Sequence, residues 1–415
     1  MPGAGILPNM DDRRTDPSRP LPAPPEPWTG SDMPSPRSGP PYHMTEMIQA
    51  EPALARRILA RLSQPDGPAA RLAVAVRATS AAGRPVLVVG CGTSEHGAAA
   101  VAEILRDANR AAGLPATLGT GGTPVALQAF EGALEPALGG PGALVIGVSH
   151  EGGTWATNRA LAAARDAGAS VALITAAAGS PGATIADIVV ATEEVDQSWC
   201  HTIGYLSPIL AGAAVGAHIS ASALDPLAAA ALLEAGLSEP ASTAIEEMAH
   251  ALTGVRRLLV VGSGADRAAA RELTLKVEEG AHLPAAMRDL ETMLHGHLAG
   301  TDDETGLILV LADPAARGAR TARALGMLRA CREVGIQAGA IISTVVSREI
   351  DPSLLPAGRV LVPEASTLPS PVAALLGTAV PLQRLTEKLA ISRGVNPDAI
   401  RRDDPRHLAA ADVAE

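Results

Sequence analysis

The chain has 415 residues, 47% of them apolar, and a formal net charge of −11. It is long enough for one large domain or two ordinary ones, and too acidic to be drawn to nucleic acid or an anionic membrane by long-range attraction. Aromatic residues are confined to Trp28, Tyr42, Phe130, Trp155, Trp199 and Tyr205, so the core is predicted to be packed from Ala, Val, Leu and Ile, and base stacking is not an expected mode of recognition.

Residues 1–40 are rich in Pro, Ser, Gly and Asp without periodicity and read as a disordered extension. Met33 or Met44 is an alternative start. From residue 41 the run YHMTEMIQAEPALARRILARL has helical apolar spacing, interrupted only by Pro52. After Pro85, short β-branched runs (85–90, 142–149, 170–176, 187–192) alternate with alanine-rich helical segments. Continuous apolar strands separated by helices predict a parallel sheet covered on both faces. The apolar stretch 205–237 is broken by Pro208, His218, Asp225 and Pro226 and is not expected to span a membrane.

The pattern then repeats. RRLLVVGSGADRAAARELTL (256–275) echoes RPVLVVGCGTSEHGAAAVAEI (84–104), and TGLILVLADPAARGARTARAL (305–325) echoes GALVIGVSHEGGTWATNRAL (142–161). Offsets of 172 residues (Gly90 to Gly262) and 164 residues (Gly142 to Gly306) are too long for a solenoid and right for two copies of one α/β domain. The expected fold is therefore two tandem doubly wound parallel sheets, 41–240 and 241–395, followed by a tail, 396–415. Cys91, Cys200 and Cys331 are widely spaced with no CxxC pair. Neither a disulfide framework nor a metal site is expected, no cofactor is implied, and a reducing cytoplasm is the expected compartment. The N-terminus lacks a secretory pattern.

Ligands of parallel α/β sheets sit at the carboxyl ends of the strands. Two loops of the first copy fall there, Gly90-Cys91-Gly92-Thr93-Ser94 and Ser149-His150-Glu151-Gly152-Gly153-Thr154. Glycines let main-chain N–H groups converge, hydroxyls add neutral donors, and a helix N-terminus adds its dipole, a combination suited to a phosphate. The first loop lacks the third glycine of a dinucleotide fingerprint and the lysine of a P-loop. The second copy keeps one serine in GSGADR, and LADPAAR has neither glycine nor hydroxyl, so only the first copy is equipped for phosphate. Glu272, Lys276 and Glu279 share one helix face at i, i+4 and i+7. The plain alternative is an exposed i,i+4 ion pair beside a solvated acidic face.

The segments VVGCGTS, GVSHEGGT, ELTLKVEEGAHLPAAM, LHGH and DPRHLAAADVAE, in this order, resemble the sugar isomerase (SIS) domain family. More closely, they resemble the tandem-SIS isomerase half of glucosamine-6-phosphate synthase and its relatives without a glutaminase domain. The resemblance spans residues 42–415. It implies that Ser94, Ser149 and Thr154 hold a substrate phosphate, and that Gly92, Thr93, Gly152 and Gly153 shape the loops. It also implies that Glu279 moves a proton between C1 and C2, with Lys276 nearby. His295 would assist ring opening from the neighbouring subunit of a homodimer. A carboxylate and an imidazole suit those two proton transfers.

Three departures matter. No glutaminase domain is present, so glutamine-dependent amination is not supported. Glu151 stands where the family's loop has a hydroxyl and would repel a phosphate, unless it points away, His150 compensates as a cation, or the substrate differs. Ala410 stands where the family's tail has a lysine. In DQSWCHTIGY (196–205), Cys200, His201 and Thr202 replace a Ser-Thr-Lys segment lining the sugar site. His201 and Thr202 are the expected sugar-hydroxyl contacts there, and Cys200–His201 has no third group to make it a nucleophilic pair. The expected function is a cytoplasmic sugar-phosphate isomerase. An amino-sugar-phosphate deaminase releasing ammonia and a non-catalytic phosphosugar-binding regulator remain open.

Overall fold

The structure is a computed structural model that describes residues 37–135 and 137–413. Most of the expected N-terminal extension lies outside the described residues. Two helices, α1 (His43–Leu62) and α2 (Pro68–Ala81), precede an alternating series. That series runs β1 (Val86–Gly90), α3 (Thr93–Ala111), β2 (Pro124–Gln128), α4 (Ala129–Leu134), β3 (Leu144–Val148), α5 (Trp155–Asp166), β4 (Ser170–Thr175), α6 (Pro181–Ile185) and β5 (Ile188–Ala191). Three helices follow, α7 (Ile203–Ser220), α8 (Pro226–Leu237) and α9 (Glu239–Leu252).

The second half repeats the scheme with β6 (Arg257–Gly262), α10 (Asp266–Ala281), β7 (Ala285–Asp289), β8 (Thr305–Leu311), α11 (Arg317–Val334), β9 (Gln337–Ser343) and β10 (Arg359–Val362). It ends with α12 (Ser370–Ser392) and α13 (Pro405–Asp412). Each half holds a five-stranded, all-parallel sheet, in the orders β2-β1-β3-β4-β5 and β7-β6-β8-β9-β10. The two orders are the same topology, as the sequence echoes predict. β3 and β8 are buried along their whole lengths, which is why they read as unbroken apolar runs. β2 and β7 escape that pattern because they are half-exposed edge strands.

The echoed glycines are first a folding requirement. A Cβ on Gly90 would meet the Ser94 carbonyl oxygen at 2.3 Å, and one on Gly262 would meet that of Asp266 at 2.7 Å. In both halves the helix N-terminus folds back onto the strand end closely enough to exclude any side chain.

The largest core runs through both halves, joining apolar residues of α1, α3, α7, α10 and α12 between the sheets. α7 is long and apolar enough, by length and composition, to cross a membrane, yet 83% of it is buried inside this fold. It packs on α3, and α10 packs on both α12 and α3. That last contact carries side chains of the second half to the loops of the first.

Candidate active site

The strand order of the first sheet reverses direction between β1 and β3, so the crevice outside their carboxyl ends is the expected ligand position. The two glycine-rich loops flank it. Ser149 is buried; its Oγ accepts the Gly152 N–H at 3.2 Å and donates to Thr154 Oγ1 at 3.2 Å. Gly152 has φ +74°, and a Cβ there would strike Ser180 Oγ at 2.0 Å. The loop is thus closed on itself, with Gly153 and Thr154 exposed at its tip. Gly92, also at positive φ (+56°), faces open space, and Ser94 sits in the first turn of α3. Thr93 is turned elsewhere: it is buried and donates to Glu272 Oε1 at 3.3 Å.

His150 does not supply a compensating cation. Its Nε2 accepts the Asp196 N–H at 2.8 Å, which puts the ring proton on Nδ1. Burial, reinforced by the nearby His201 and opposed by Asp196, lowers the imidazole from 6.5 to about 4. At neutral pH it is uncharged, and it ties the Ser149–Thr154 loop to the segment after β5.

Glu272 and Lys276 are fully buried, so the surface-pair alternative is overturned. Lys276 Nζ lies 2.5 Å from Glu279 Oε2 and 3.7 Å from Glu272 Oε1. Glu272 also meets His96 Nδ1 at 2.7 Å. Burial alone would drive Lys276 toward neutrality, but the flanking Glu279 and Glu272 outweigh it and raise the ammonium above its ordinary value. Burial would likewise raise Glu272; Lys276 and His96 overcome it and hold the carboxyl low. The Glu279 side chain, 27% exposed, is the member of this array that opens to solvent.

The segment after β5 completes the wall. Asp196 is fully buried; Oδ2 accepts the N–H groups of Thr202 (2.5 Å) and Gly204 (2.9 Å), and Oδ1 that of Ser198 (3.0 Å). Burial would raise this carboxyl, but the imidazoles of His201 and His150 and the Gly204 N–H hold it low. His201 Nδ1 stands 3.6 Å from Asp196 Oδ2, with its side chain 31% exposed. Thr202 is fully buried and its hydroxyl lies 3.5 Å from both Asp196 oxygens, so it serves that carboxylate. Burial pushes the Cys200 thiol well above its ordinary value, with Lys276 opposing only in part, so the thiol stays protonated. The tail reaches this wall: the Arg402 guanidinium lies 3.5 Å from the centroid of the Trp199 ring.

Sequence reasoning passed over Asp196, although an aspartate leading a short polar segment into a helix is a common main-chain acceptor. It also passed over Glu51, whose signal was its place on the apolar face of α1 between Met47 and Leu54. Glu51 is fully buried with neither oxygen hydrogen-bonded among the described residues, and burial raises its carboxyl to about 8.

His295 lies elsewhere. It follows β7, and its Nε2 binds Glu291 at 2.7 Å, a residue also gripped by Arg323 of α11. It comes just after the short helix Thr292–Leu294, on the side of the second sheet's edge strand β7. Glu279 lies near the C-terminal end of α10.

In the second half the cradle is already filled. By the sequence echo, Asp266 stands where the first half has Ser94. Its Oδ2 accepts the N–H groups of Ala312 (2.8 Å) and Asp313 (2.9 Å), while Asp313 takes the Ala265 N–H (3.1 Å) and Arg320 (2.7 Å). The donors that a phosphate would need are occupied by the protein's own carboxylates.

No protein-family model matches the chain. Over 343 residues it is 27% identical to glutamine–fructose-6-phosphate aminotransferase [isomerizing] of Pyrobaculum aerophilum, covering 80% of this chain and 52% of that protein. The chain thus spans about half the length of this curated relative. Among solved structures, the C-terminal domain of glucosamine-fructose-6-phosphate aminotransferase from Francisella tularensis superposes with a TM-score of 0.71 at 18% identity, covering 87% of this chain and 99% of that one. Tagatose-6-phosphate ketose/aldose isomerase from Escherichia coli gives 0.65 at 17% identity, with 92% and 97% covered. Glucosamine-6-phosphate deaminase from Thermotoga maritima gives 0.56 at 17%, with 76% and 88% covered. With two sheets of one topology and these similarities, the chain has the tandem sugar isomerase (SIS) fold and resembles the isomerase half of glutamine–fructose-6-phosphate aminotransferases.

Proposed function

We propose that the chain is a phosphosugar isomerase, interconverting the aldose and ketose forms of a sugar phosphate or amino-sugar phosphate. The observation that carries this reading is the Glu272–Lys276–Glu279 array, which presents one accessible carboxylate beside a hydroxyl- and glycine-lined loop pair. The loops of Gly92–Ser94 and Ser149–Thr154 would hold the phosphate. The Glu279 carboxylate would take the proton from C2 of the open aldose and return it to C1. The charge that develops on the enediol oxygens would face the Lys276 ammonium, already in place before reaction. The resemblance assigns ring opening to His295 of a second subunit, which would make the protein a homodimer.

Proton NMR in D₂O tests this with glucosamine-6-phosphate, galactosamine-6-phosphate, fructose-6-phosphate and glucose-6-phosphate. Isomerisation with deuterium entering at C1 or C2, abolished by Glu279→Gln while ligand binding persists, is the expected result. Ammonia release would make the enzyme a deaminase. Ligand-induced stabilisation without exchange would overturn the catalytic reading and leave a binding protein.

A further inference from the structure

We infer that Asp196 and His201 form an acid–base pair within each subunit, with the His201 imidazolium donating the proton that opens the sugar ring. This rests on the isomerase reading above and differs from the resemblance on one point, the source of that proton. Three features of the wall after β5 carry it.

First, Asp196 is built to hold an imidazole. It is sealed from solvent, and main-chain N–H groups of Ser198, Thr202 and Gly204 fix its orientation without neutralising it. Second, His201 stands between this buried anion and solvent. Nδ1 faces the carboxylate at 3.6 Å, a distance open to tightening once substrate binds. Nε2, on the other side of the ring, has no protein hydrogen bond among the described residues, and the side chain is 31% exposed. Third, its surroundings are those of the proposed chemistry. The His150 ring of the phosphate loop lies 5.6 Å away centroid to centroid, and Lys276 and Glu279 of α10 are near enough to act on its charge. Burial and Lys276 work against protonation of His201; Asp196 and Glu279 favour it and prevail. His150, neutral, adds no competing positive charge at pH 7.

The step balances without any co-reactant. Nε2–H passes its proton to the ring oxygen as the bond from C1 to that oxygen breaks and its electron pair goes to the oxygen. The hydroxyl proton on C1 leaves to water, and the carbonyl forms. His201 recovers a proton from solvent, to which it is open. Glu279 is then free for the transfer between C2 and C1. Asp196 touches no substrate and is a positioning residue.

The test compares full-length His201→Gln, Asp196→Asn, His295→Gln and Glu279→Gln on the interconverting sugar phosphate. His201→Gln is expected to lower kcat by about 10²-fold or more, with little change in the affinity for inorganic phosphate. It should also remove the limb on which kcat/KM falls with rising pH. Asp196→Asn should move that limb to lower pH, because the imidazolium loses its anion. In ¹H–¹⁵N spectra the same variant should lower the titration midpoint of His201, read on whatever fraction folds. Full turnover in His201→Gln with collapse in His295→Gln would overturn the assignment and leave the isomerase reading intact. So would a pH profile unmoved by either variant at this pair. Absence of turnover in the wild type with every sugar would overturn both.

Discussion

His96 Nδ1 and Glu272 Oε2 stand 2.7 Å apart, one from each half of the chain. Behind that contact lies Lys276, fully buried and bracketed by two carboxylates. Removing one member of a buried charge array strands the others without water. Lys276→Met is therefore expected to destabilise the protein by about 3–5 kcal/mol, seen as a lower urea midpoint. Glu279→Gln leaves Lys276 paired with Glu272 and should cost far less stability while abolishing exchange. Equal losses of stability in the two variants would contradict the shared-charge geometry.

Glu51 gives the stability a pH signature. Its folded carboxyl is raised from 4.5 to about 8, so between those values the native state holds a proton that the unfolded state has released. Stability then falls as pH rises through that window. Asp266 acts with the same sign from 3.8 to about 7, burial being the main cause. His201, raised on the side of its partner, also loses its contribution as pH climbs above 6.5. His150, lowered to about 4, opposes these only between about 4 and 6.5, where stability rises with pH. The melting temperature should decline from pH 6.5 to 8.5, less steeply in Glu51→Gln. A flat profile, or one unchanged by that substitution, would count against a buried protonated Glu51.

The cysteines should separate cleanly. Cys200 and Cys331 are buried with thiols pushed up by burial, whereas Cys91 is half-buried in the phosphate-side loop. In the native protein, iodoacetamide should label Cys91 alone, slowly because burial and Glu95 raise that thiol too. Mass spectrometry of labelled peptides reads this, and a bound sugar phosphate should slow it further. Rapid labelling of Cys200 would refute its place against α10.

Gly152→Ala tests the second loop. The new methyl meets Ser180 Oγ at 2.0 Å in a backbone with φ +74°, so the loop must open. About 1–3 kcal/mol of strain is expected, together with weaker binding of inorganic phosphate. Gly153→Ala, where a Cβ meets nothing, is the control for strain and should leave the melting temperature unchanged.

The central strands were legible because burial on both faces writes an uninterrupted apolar run, and the duplication was legible because close-packed glycines recur with it. β2 and β7 were not, since a half-exposed edge strand five residues long carries neither an apolar run nor a clean alternation. The two loops at the carboxyl ends of β1 and β3 could be placed from their glycine content alone. Partner choice could not. Thr93 reads as a loop hydroxyl, yet it turns to a helix 179 positions later. His150 reads as a cation until the Asp196 N–H on its Nε2 shows where its proton must sit. Asp196 itself becomes visible only when three main-chain donors converge on it.

The self-filled cradle of the second half bears on how a duplicated gene divides its labour. Asp266 at the echo of Ser94 turns what was a socket for a visitor into an internal clasp, and the helix below it, α10, is set firmly against α3. The second half thereby becomes the anvil against which the first is set. Expressed separately, the two segments would each expose part of one charge array, so any natural or engineered split of this chain should work only if the pieces find each other again.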